Sequence, residues 1–578
     1  MKRLFTFSLV ALFAQMLLAT TFEVDGFHYL VRDSINNTVE LTFQEASPLN
    51  YASVTALNFP KEVSFEEKTY TVVAIGKAAF AYAKDLQDIE IPSFIEEIGP
   101  NAFYGCGALK KVKFNKGLKS IGRNAFVQSE VEEIVLPDGL QELGDLAFAN
   151  CTNLKRLSLP KNIAHFGNNV FKDCTALEKI LFDAPTSTMG NFTFSGCTAI
   201  QRVTLPSGLK HPSKGMFSKC ANLEEVILGR DMVDLGDIAF EECTKLASIK
   251  APVGSTFFSS NDDGVLLSAD GSTLLYYPKG KTNEAYTIPT TISIIGNNAF
   301  ADNHVLQQIN IPNNVKVIKE EAFKGCNALK SLNIAEGLEV ISARAFENCN
   351  KLTGITIPQS VQRIGKDAFK NTGDFNNKRN WKARLLYLGN CLIGQRDNQP
   401  KTGATVIRQG TRLIADQALE RSAITELECP ASLEYIGEHA FYGCKKLATI
   451  KLPNAKGVAV AAFDSTAFYN NDKNWKGDAL YIDKVLIQVS LETDAVFKVK
   501  NVIAIADEAF AGCKDIEEIK LPNSLLYIGK KAFQDCSNLT EINIPKKLVS
   551  IADDAFEGSQ VSQEKIDEFT AATNGNEK

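Results

Sequence analysis

The fold of this chain is decided by a stretch that reads Leu306-Gln-Gln-Ile309-Asn-Ile311-Pro312-Asn-Asn-Val315-Lys-Val-Ile318 and continues to Ala322-Phe323 and Cys326. The same phrase returns about every 23 residues, and a fixed period of this length is the signature of a solenoid, whose repeats bury their apolar faces only by stacking. Function is therefore to be sought on a long repetitive surface. Eighteen copies align on the Phe or its replacement: Phe80, Phe103, Phe126, Phe148, Phe171, Phe194, Phe217, Phe240, Phe300, Phe323, Phe346, Phe369, Leu419, Phe441, Phe463, Phe510, Phe533 and Phe556.

Each copy predicts one short strand and one tight turn. The Ile-x-Ile segment has the alternation of a strand with every second side chain inward. The following Pro ends the ladder, and Gly after the next Ile permits a backbone conformation that a Cβ would resist. The Ala-Phe pair suits a short helical or 3-10 turn. The sequence thus predicts an α/β repeat fold: a solenoid of about 18 rungs of 23 residues, with short parallel strands on one face, short helical or 3-10 turns and three β-hairpin islands.

The cysteines follow the same period. Eleven of the thirteen stand three residues after the Phe, so Phe and Cys are expected to form two inward columns. Neighbouring rungs lie about 4.8 Å apart, within reach of a disulfide, but a uniform ladder of parallel side chains has no reason to pair off. A small buried hydrophobe fits better, and free thiols are expected. The core residues singled out are Phe103, Cys106, Phe148, Cys151, Phe240, Cys243, Phe323, Cys326, Phe510 and Cys513.

The consensus L-x-x-I-x-I-P-x-x-V-x-x-I-G-x-x-A-F-x-x-C resembles the BspA-like subclass of leucine-rich repeats, found in bacterial surface and secreted proteins. The resemblance runs from about Val72 to Phe556, and the motif is specific because several constrained positions recur together. It implies a curved leucine-rich-repeat solenoid with a parallel sheet along one face, and roles in adhesion or ligand binding. It supplies no catalytic residues.

The period is interrupted three times. The first interruption contains a hairpin pattern with an Asp-Gly turn, and the two later ones share an Asn-Trp pair followed by Leu-Tyr. The expected segments are a signal peptide, 1–20; an N-terminal β cap, 21–70; leucine-rich repeats, 71–252, 289–370, 409–464 and 501–558; islands, 253–288, 371–408 and 465–500; and a polar C-terminal tail, 559–578.

Composition and the N-terminus indicate the setting. Charges of both signs are interspersed, the net charge is −6, and no basic block exists to neutralise a run of phosphates, so nucleic acid is not expected as a partner. Lys2 and Arg3, the apolar stretch 4–18 and the small residues 19–21 predict a cleaved signal peptide, with a single membrane anchor as the alternative. No later segment is apolar enough to span a bilayer. We expect an exported protein, secreted or at the cell surface.

No arrangement of residues predicts catalysis. The five histidines are scattered, and none stands at metal-ligand spacing from another His or a Cys. The stretch 279–282 imitates the end of a phosphate-binding loop, but Leu275 stands where its first Gly is required. The stretch 261–264 lacks the spaced ligands of a calcium loop. Both are expected to be turns, and no catalytic residue, metal site or cofactor is predicted.

The outward strand positions are more informative. Five consecutive rungs are expected to carry an apolar and hydroxyl row, made of Val135, Ser158, Leu181, Thr204 and Ile227. Beside it runs a basic row, made of Arg156, Lys179 and Arg202. An exposed apolar row flanked by charge is typical of a protein-binding surface, although β-branched residues also favour strands for their own sake. The row is expected to contact an acidic or amphipathic partner.

The two tryptophans of the chain, Trp381 and Trp475, fall in islands. An exposed Trp would anchor a partner, and a Trp covering a hairpin end is the alternative. The sequence therefore predicts an exported, non-enzymatic binding or adhesion protein that recognises a protein, from a host or the envelope, or a glycan. Two other functions stay open: a structural envelope or spacer protein without a specific ligand, and an enzyme or enzyme-associated module that uses an island loop.

Overall fold

A computed structural model describes residues 20–43, 51–160, 163–182, 188–236, 238–396 and 402–574. The expected signal peptide, except for Thr20, lies outside these residues. The chain forms two compact units. The first ends at Gly271 and also includes Pro278–Lys281, and the second comprises Ser272–Tyr277 and the chain from Thr282 onward. Each unit is a β-solenoid of stacked repeats, which confirms the predicted fold class.

The first unit begins with a small sheet. Its strands are β1 Thr21–Val24, β2 Phe27–Asp33, β3 Thr38–Thr42, β4 Glu62–Phe65 and β5 Lys68–Ile75. The pairs β1–β2, β2–β3 and β4–β5 are antiparallel, whereas β3–β5 is parallel. Rings from this segment cover the first Phe of the repeats, because Tyr51 and Phe59 have ring centroids 5.2 and 6.2 Å from that of Phe80. The first rung is thereby shielded from water.

The repeats of the first unit alternate a front strand with a short back strand. In chain order they are β6 Asp88–Glu90, β7 Glu97–Ile98, β8 Lys111–Lys113, β9 Ser120–Ile121, β10 Glu133–Val135, β11 Glu142–Leu143, β12 Arg156–Leu159, β13 His165–Phe166, β14 Lys179–Phe182, β15 Arg202–Thr204, β16 Glu225–Ile227 and β17 Ser248–Lys250, followed by the hairpin β18 Phe258–Ser260 and β19 Leu266–Ser268. The front strands form two parallel sheets, β14-β12-β10-β8-β6 and β15-β16-β17, and β7, β9, β11 and β13 continue the sheet of β5.

The second unit repeats this plan around two inserted hairpins. Its elements are β20 Thr273–Tyr276, β21 Ala285–Thr287, β22 Ile294–Ile295, β23 Gln308–Ile311, β24 Val317–Ile318, β25 Ser331–Ile334, β26 Val340–Ile341, β27 Arg363–Ile364, α1 Gly373–Asn376, β28 Trp381–Lys382, β29 Leu385–Leu388, β30 Cys391–Gln395, β31 Thr402–Val406, β32 Leu413–Ile414, β33 Ala423–Glu428, β34 Tyr435–Ile436, β35 Thr449–Lys451, β36 Gly457–Val458, β37 Ala479–Ile482, β38 Val485–Val489, β39 Val496–Lys498, β40 Ala504–Ile505, β41 Glu518–Lys520, β42 Tyr527–Ile528, β43 Glu541–Ile542, β44 Ser550–Ile551 and α2 Gln563–Asn574. Single 3-10 turns at Lys378–Asn380 and Asp472–Asn474 precede β28 and β37.

The turn that carries Ala-Phe-x-x-Cys is a series of β-turns rather than a continuous helix. Within the rung of Phe103, every second amide donates to the carbonyl three residues earlier, at 3.1 to 3.4 Å: Ala102, Tyr104 and Cys106. The intervening amides donate to the next rung at 2.8 to 2.9 Å: Asn101, Phe103 and Gly105. Asn101 and Gly105 have φ angles of 58° and 69°, and such left-handed residues interrupt a helix.

The repeat Gly has a different role from the one expected. Gly99, Gly122 and Gly144 follow the back strands without a left-handed φ angle, whereas an added Cβ on Gly144 would lie 2.5 Å from the Arg123 amide nitrogen of the preceding rung. The prediction that this Gly relaxes its own backbone is therefore wrong. It allows two rungs to approach each other, and the left-handed residue stands two positions later.

The Phe column forms the centre of both units. Phe103, Phe126 and Phe148 are fully buried, with successive ring centroids 5.1 and 5.0 Å apart and planes within 10° of parallel. Phe323 and Phe346 repeat this stacking in the second unit at 5.0 Å. Stacked aromatic pairs add roughly 0.5–1.5 kcal/mol each to the free energy gained by burial.

The Cys column is buried and free of disulfides, as expected. Its thiols also have a specific partner, since Cys106 Sγ donates to the carbonyl of Phe80 on the preceding rung at 3.2 Å, and Cys326 Sγ donates to that of Phe300 at 3.1 Å. Ser129 occupies the same repeat position and donates to Phe103 in the same way. The position thus selects a small side chain with a hydrogen to donate.

Candidate binding surface

The front sheet of the first unit presents two adjacent rows to solvent. Parallel pairing aligns Val135 with Ser158 and Ser158 with Leu181, while Ile134 and Leu157 point into the core between them. Val135 is 57% exposed and Leu181 is 47% exposed. The two apolar side chains therefore stand on either side of a half-buried hydroxyl.

The five-rung row expected from the sequence is interrupted after Leu181. Thr204 and Ile227 belong to the separate sheet β15-β16-β17, so the row does not lie on one hydrogen-bonded sheet. Phe182 stands where the repeat has its second strand Ile, and its ring meets that of Phe194 edge-on at 6.5 Å. Phe114 holds the same repeat position, and its ring likewise meets that of Phe126 edge-on at 5.8 Å while β8 stays paired on both sides.

Charge is balanced unevenly along these rows. Arg202 Nε lies 2.9 Å from Glu225, which Lys250 also approaches at 2.7 Å, so this cation is neutralised within its own sheet. Arg156 and Lys179 are exposed and adjacent in register. Within the described ranges, no ion pair joins either of them to a carboxylate. Glu133 stands in register with Arg156 on β10 without forming an ion pair with it. Arg156 and Lys179 thus lie beside Val135 and Leu181; we call these four residues with Ser158 the β12–β14 patch, after the strands that carry the two cations.

The tryptophans belong to the second unit and act within their islands. Trp381 Nε1 donates to the Phe375 carbonyl at 2.7 Å, and Trp475 Nε1 donates to that of Tyr469 at 2.9 Å. Each indole also meets its partner's ring edge-on, at 5.3 and 5.6 Å. Both rings are half-buried, and the Arg396 guanidinium lies 5.2 Å from the centroid of the Trp381 ring. These contacts support the alternative in which each Trp closes its own loop.

The front sheet of the second unit carries a neutral polar ladder. Asn333 Nδ2 donates to Asn310 Oδ1 at 2.7 Å, and Asn310 Nδ2 donates to Thr287 Oγ1 at 3.0 Å. The neighbouring outward positions on β23 and β25 are Gln308 and Ser331, which carry no charge either. This face therefore offers amide and hydroxyl groups without ions, in contrast to the β12–β14 patch.

Several of the buried thiols are poorly suited to act as nucleophiles. Burial raises the pKa of Cys106, Cys243 and Cys536 to about 12. It raises the pKa of Cys429 to about 12 and that of Cys391 to about 11, although neither belongs to the repeat column. A reactive cysteine needs a thiolate near neutral pH, so these residues are structural.

Three further features of the described residues bear on small-molecule binding, metal binding and membrane insertion. A cavity of about 40 Å³ beside Trp381 has room for little more than water. Among the residues that the structure describes, no cluster of three His, Cys, Asp or Glu side chains is placed to hold a metal ion. No helix in those ranges is long and apolar enough to cross a bilayer.

The stacked rungs, with parallel front strands and parallel back strands, define a leucine-rich-repeat solenoid. The sequence matches the family described as BspA type leucine rich repeat region over residues 73–187, 165–261, 276–384, 409–476 and 493–575. The chain belongs to this family, as its consensus indicated. No curated protein matches the chain.

Solved structures that the chain is similar to include three bacterial proteins. A leucine-rich repeat protein of Bacteroides ovatus is 21% identical, with 90% of this chain and 100% of that chain covered and a TM-score of 0.42. A leucine-rich cell surface protein of Faecalibacterium prausnitzii is 19% identical over 94% and 99% of the two chains, with a TM-score of 0.34. The pneumococcal vaccine antigen PcpA is 19% identical over 78% and 98%, with a TM-score of 0.34. Likeness at this level carries no information on ligands.

Proposed function

We propose that this chain is an exported, non-enzymatic binding protein whose β12–β14 patch recognises an acidic, partly apolar segment of another protein. The observation that carries the proposal is the adjacent pair Arg156 and Lys179, which form no ion pair within the described residues and are flanked by exposed Val135 and Leu181. Export to the surface or the medium is supported by the N-terminal pattern of Lys2, Arg3 and the apolar stretch 4–18.

The chemistry of the patch defines the partner. Two like charges on neighbouring rungs repel each other, and a carboxylate placed between them relieves that repulsion. Val135 and Leu181 add apolar area that a partner removes from water. A segment with Asp or Glu beside aliphatic or aromatic residues satisfies both requirements, and its association should weaken as salt screens the charges.

The test is a peptide-display selection on the mature chain, with the double variant Arg156→Glu/Lys179→Glu as counter-target. We expect selected peptides to carry carboxylates next to apolar residues and to bind the variant at least about tenfold more weakly, because rim charges act on both affinity and association rate. Lys445→Glu/Lys446→Glu is the matched control, since both lysines are exposed in the second unit. Peptides that bind both double variants equally would refute the proposal, and failure to select any peptide would favour a spacer protein.

The polar ladder supports a second candidate function, recognition of a neutral glycan. Amide and hydroxyl groups in register offer donors and acceptors to sugar hydroxyls without the desolvation cost of an ion. Binding of neutral oligosaccharides on a glycan array should be lost in Asn310→Ala/Asn333→Ala and kept in Arg156→Glu/Lys179→Glu. Binding that survives the first double variant would exclude the ladder.

A further inference from the structure

The second and third islands are built on one framework. In each, a Thr hydroxyl accepts the amide three residues later, at 3.1 Å for Thr372 and at 3.0 Å for Thr466, which lies 94 positions further along the chain. An Asn side chain donates to the carbonyl six residues earlier, at 2.9 Å for Asn380 and at 2.8 Å for Asn474. Each loop leads into an antiparallel hairpin with a register shift after the second residue of its first strand, β29 or β37.

The two islands differ in charge. Residues 372–396 contain five cations and one carboxylate, Asp374, whereas residues 466–490 contain three of each. Asp374 is buried and accepts a backbone amide at 2.8 Å, so it is engaged within the fold. The third island has Asp472 where the second has Lys378, and Ser490 where the second has Arg396. Because the same framework folds with either set of residues, the fold does not require the cations of the second island.

The hairpin of the second island collects its cations. β28 pairs with β29 and β29 pairs with β30, and Lys382, Arg384 and Arg396 all stand at the same end of these three strands. The Arg396 amide donates to the Arg384 carbonyl at 3.2 Å, and the Arg396 guanidinium lies 5.2 Å from the centroid of the Trp381 ring. The 3-10 turn before β28 adds two further cations. Charges that stand singly or in pairs along the chain are thereby brought together.

Four of these cations are exposed and form no ion pair among the residues that the structure describes: Lys378, Arg379, Lys382 and Arg396. We call them the second-island cluster. The carbonyl of Glu420 accepts the Gln395 side chain of β30 at 2.9 Å. The Glu420 carboxylate itself lies 3.6 Å from Lys366 and 3.4 Å from Arg421, so other cations already balance it. The second-island cluster therefore retains its positive charge.

The surface around the second-island cluster is hydrophilic. The exposed positions of residues 372–396 are occupied by Asn, Lys, Arg, Ala and Gly, while Tyr387 is buried and Phe375 and Trp381 are half-buried. A protein interface has an apolar core, and single-stranded nucleic acid needs aromatic rings on which its bases stack. The second island exposes neither. Cations and amides without apolar anchors fit a hydrophilic polyanion that also carries hydroxyl groups.

We propose that the second island binds a linear acidic polysaccharide, whose carboxylate or sulfate groups lie against the second-island cluster. The exposed Asn376 and Asn377 precede the cluster and offer amide groups to the sugar hydroxyls. Arg396, held over the Trp381 ring, is ordered before binding and so loses less side-chain freedom than a mobile arginine. Because the cations are exposed, the association weakens as salt screens them. This inference does not rest on the proposed function, whose patch lies in the first unit.

Binding of the mature chain to immobilised heparin and polygalacturonate tests the proposal, with dextran as the neutral polymer. The variant Lys378→Asp/Arg396→Ser gives the second island the residues that the third island has at these positions, so it should fold. We expect it to bind both acidic polymers at least about tenfold more weakly, because two of the four cations are gone and a carboxylate is added. Lys445→Asp/Lys446→Ser is the matched control. It makes the same change in net charge at exposed positions of the second unit and should bind as the natural chain does.

The reciprocal variant Asp472→Lys/Ser490→Arg transfers the cations to the third island and should add one binding site for short heparin fragments in a calorimetric titration. An unchanged number of sites would show that the shared framework does not present the cations, and would overturn the proposal. A natural chain that binds neither acidic polymer, or a control variant weakened as much as Lys378→Asp/Arg396→Ser, would equally overturn it. Tighter binding of poly-glutamate or of single-stranded oligothymidylate, lost in that variant, would assign the island to an acidic protein or to a nucleic acid instead.

Discussion

At the scale of single residues, the Cys position of the repeat supplies a hydrogen-bond donor to a backbone carbonyl of the preceding rung. The buried Cys326 thiol donates to the Phe300 carbonyl, and the Ser129 hydroxyl donates to the equivalent carbonyl in the first unit, that of Phe103. The recurrence of small donors at this position could be read from the sequence. The acceptor could not, because it belongs to a residue 26 positions earlier.

The thiol column leads to a prediction about reactivity. With their pKa values near 12, Cys106, Cys243 and Cys536 should be almost entirely protonated at pH 8.5, and none is accessible to a reagent. Mass spectrometry after treatment with iodoacetamide should find them unmodified in the native protein and modified in denaturant. Native labelling at the rate of a free thiol would contradict this expectation, and a small reference thiol in the same reaction is the control.

The repeat Gly leads to a second prediction at this scale. Gly144→Ala should lower the free energy of unfolding by about 2 kcal/mol or more, because the new Cβ meets the backbone of the preceding rung. Gly107→Ala is the matched control, since an added Cβ there has nothing within 4 Å. Thermal unfolding of the two variants measures the difference. Equal melting temperatures would show that the rungs yield to the methyl group.

At the scale of elements, the predicted strands and hairpins follow from the period-2 pattern and from the breaks in the 23-residue period. The break in strand pairing after β14 was not predicted. The outward rows were readable from alternation alone. Which cations are neutralised depends on side-chain geometry, as Arg202 and Glu225 show.

The island tryptophans give a prediction about elements. Trp475→Phe removes the indole donor to Tyr469 and keeps an aromatic ring. The free energy needed to open the loop 466–475 should therefore fall by about 1 kcal/mol, the usual contribution of one hydrogen bond. Hydrogen exchange around Asn470 should quicken, while the amides of β42 should not change. If β42 loosens equally, the indole supports the solenoid itself rather than its own island.

At the scale of the molecule, a solenoid needs covered ends, because the outermost rungs have a neighbour on one side only. The polar tail expected at residues 559–578 contains α2, in which Phe569 is fully buried and its ring lies 5.2 Å from that of Phe556, the last member of the Phe column. The sequence predicted a polar segment here, since Ile566 and Phe569 are the only large apolar residues in an otherwise mostly polar helix and give a weak signal. The helix is nevertheless the cover of the last rung.

This cover can be tested directly. Phe569→Ser should expose Phe556 and lower the stability of the last rungs by about 3 kcal/mol, the lower range for deleting a buried aromatic side chain. Limited proteolysis should then cut within residues 530–560 first, and the variant should aggregate sooner because an apolar ring and strand edges are uncovered. Ala571→Ser, at an exposed position of the same helix, is the control. Equal proteolysis of both variants would mean that the last rung is stable without its helix, and stacking on one side alone would then suffice to hold a terminal repeat.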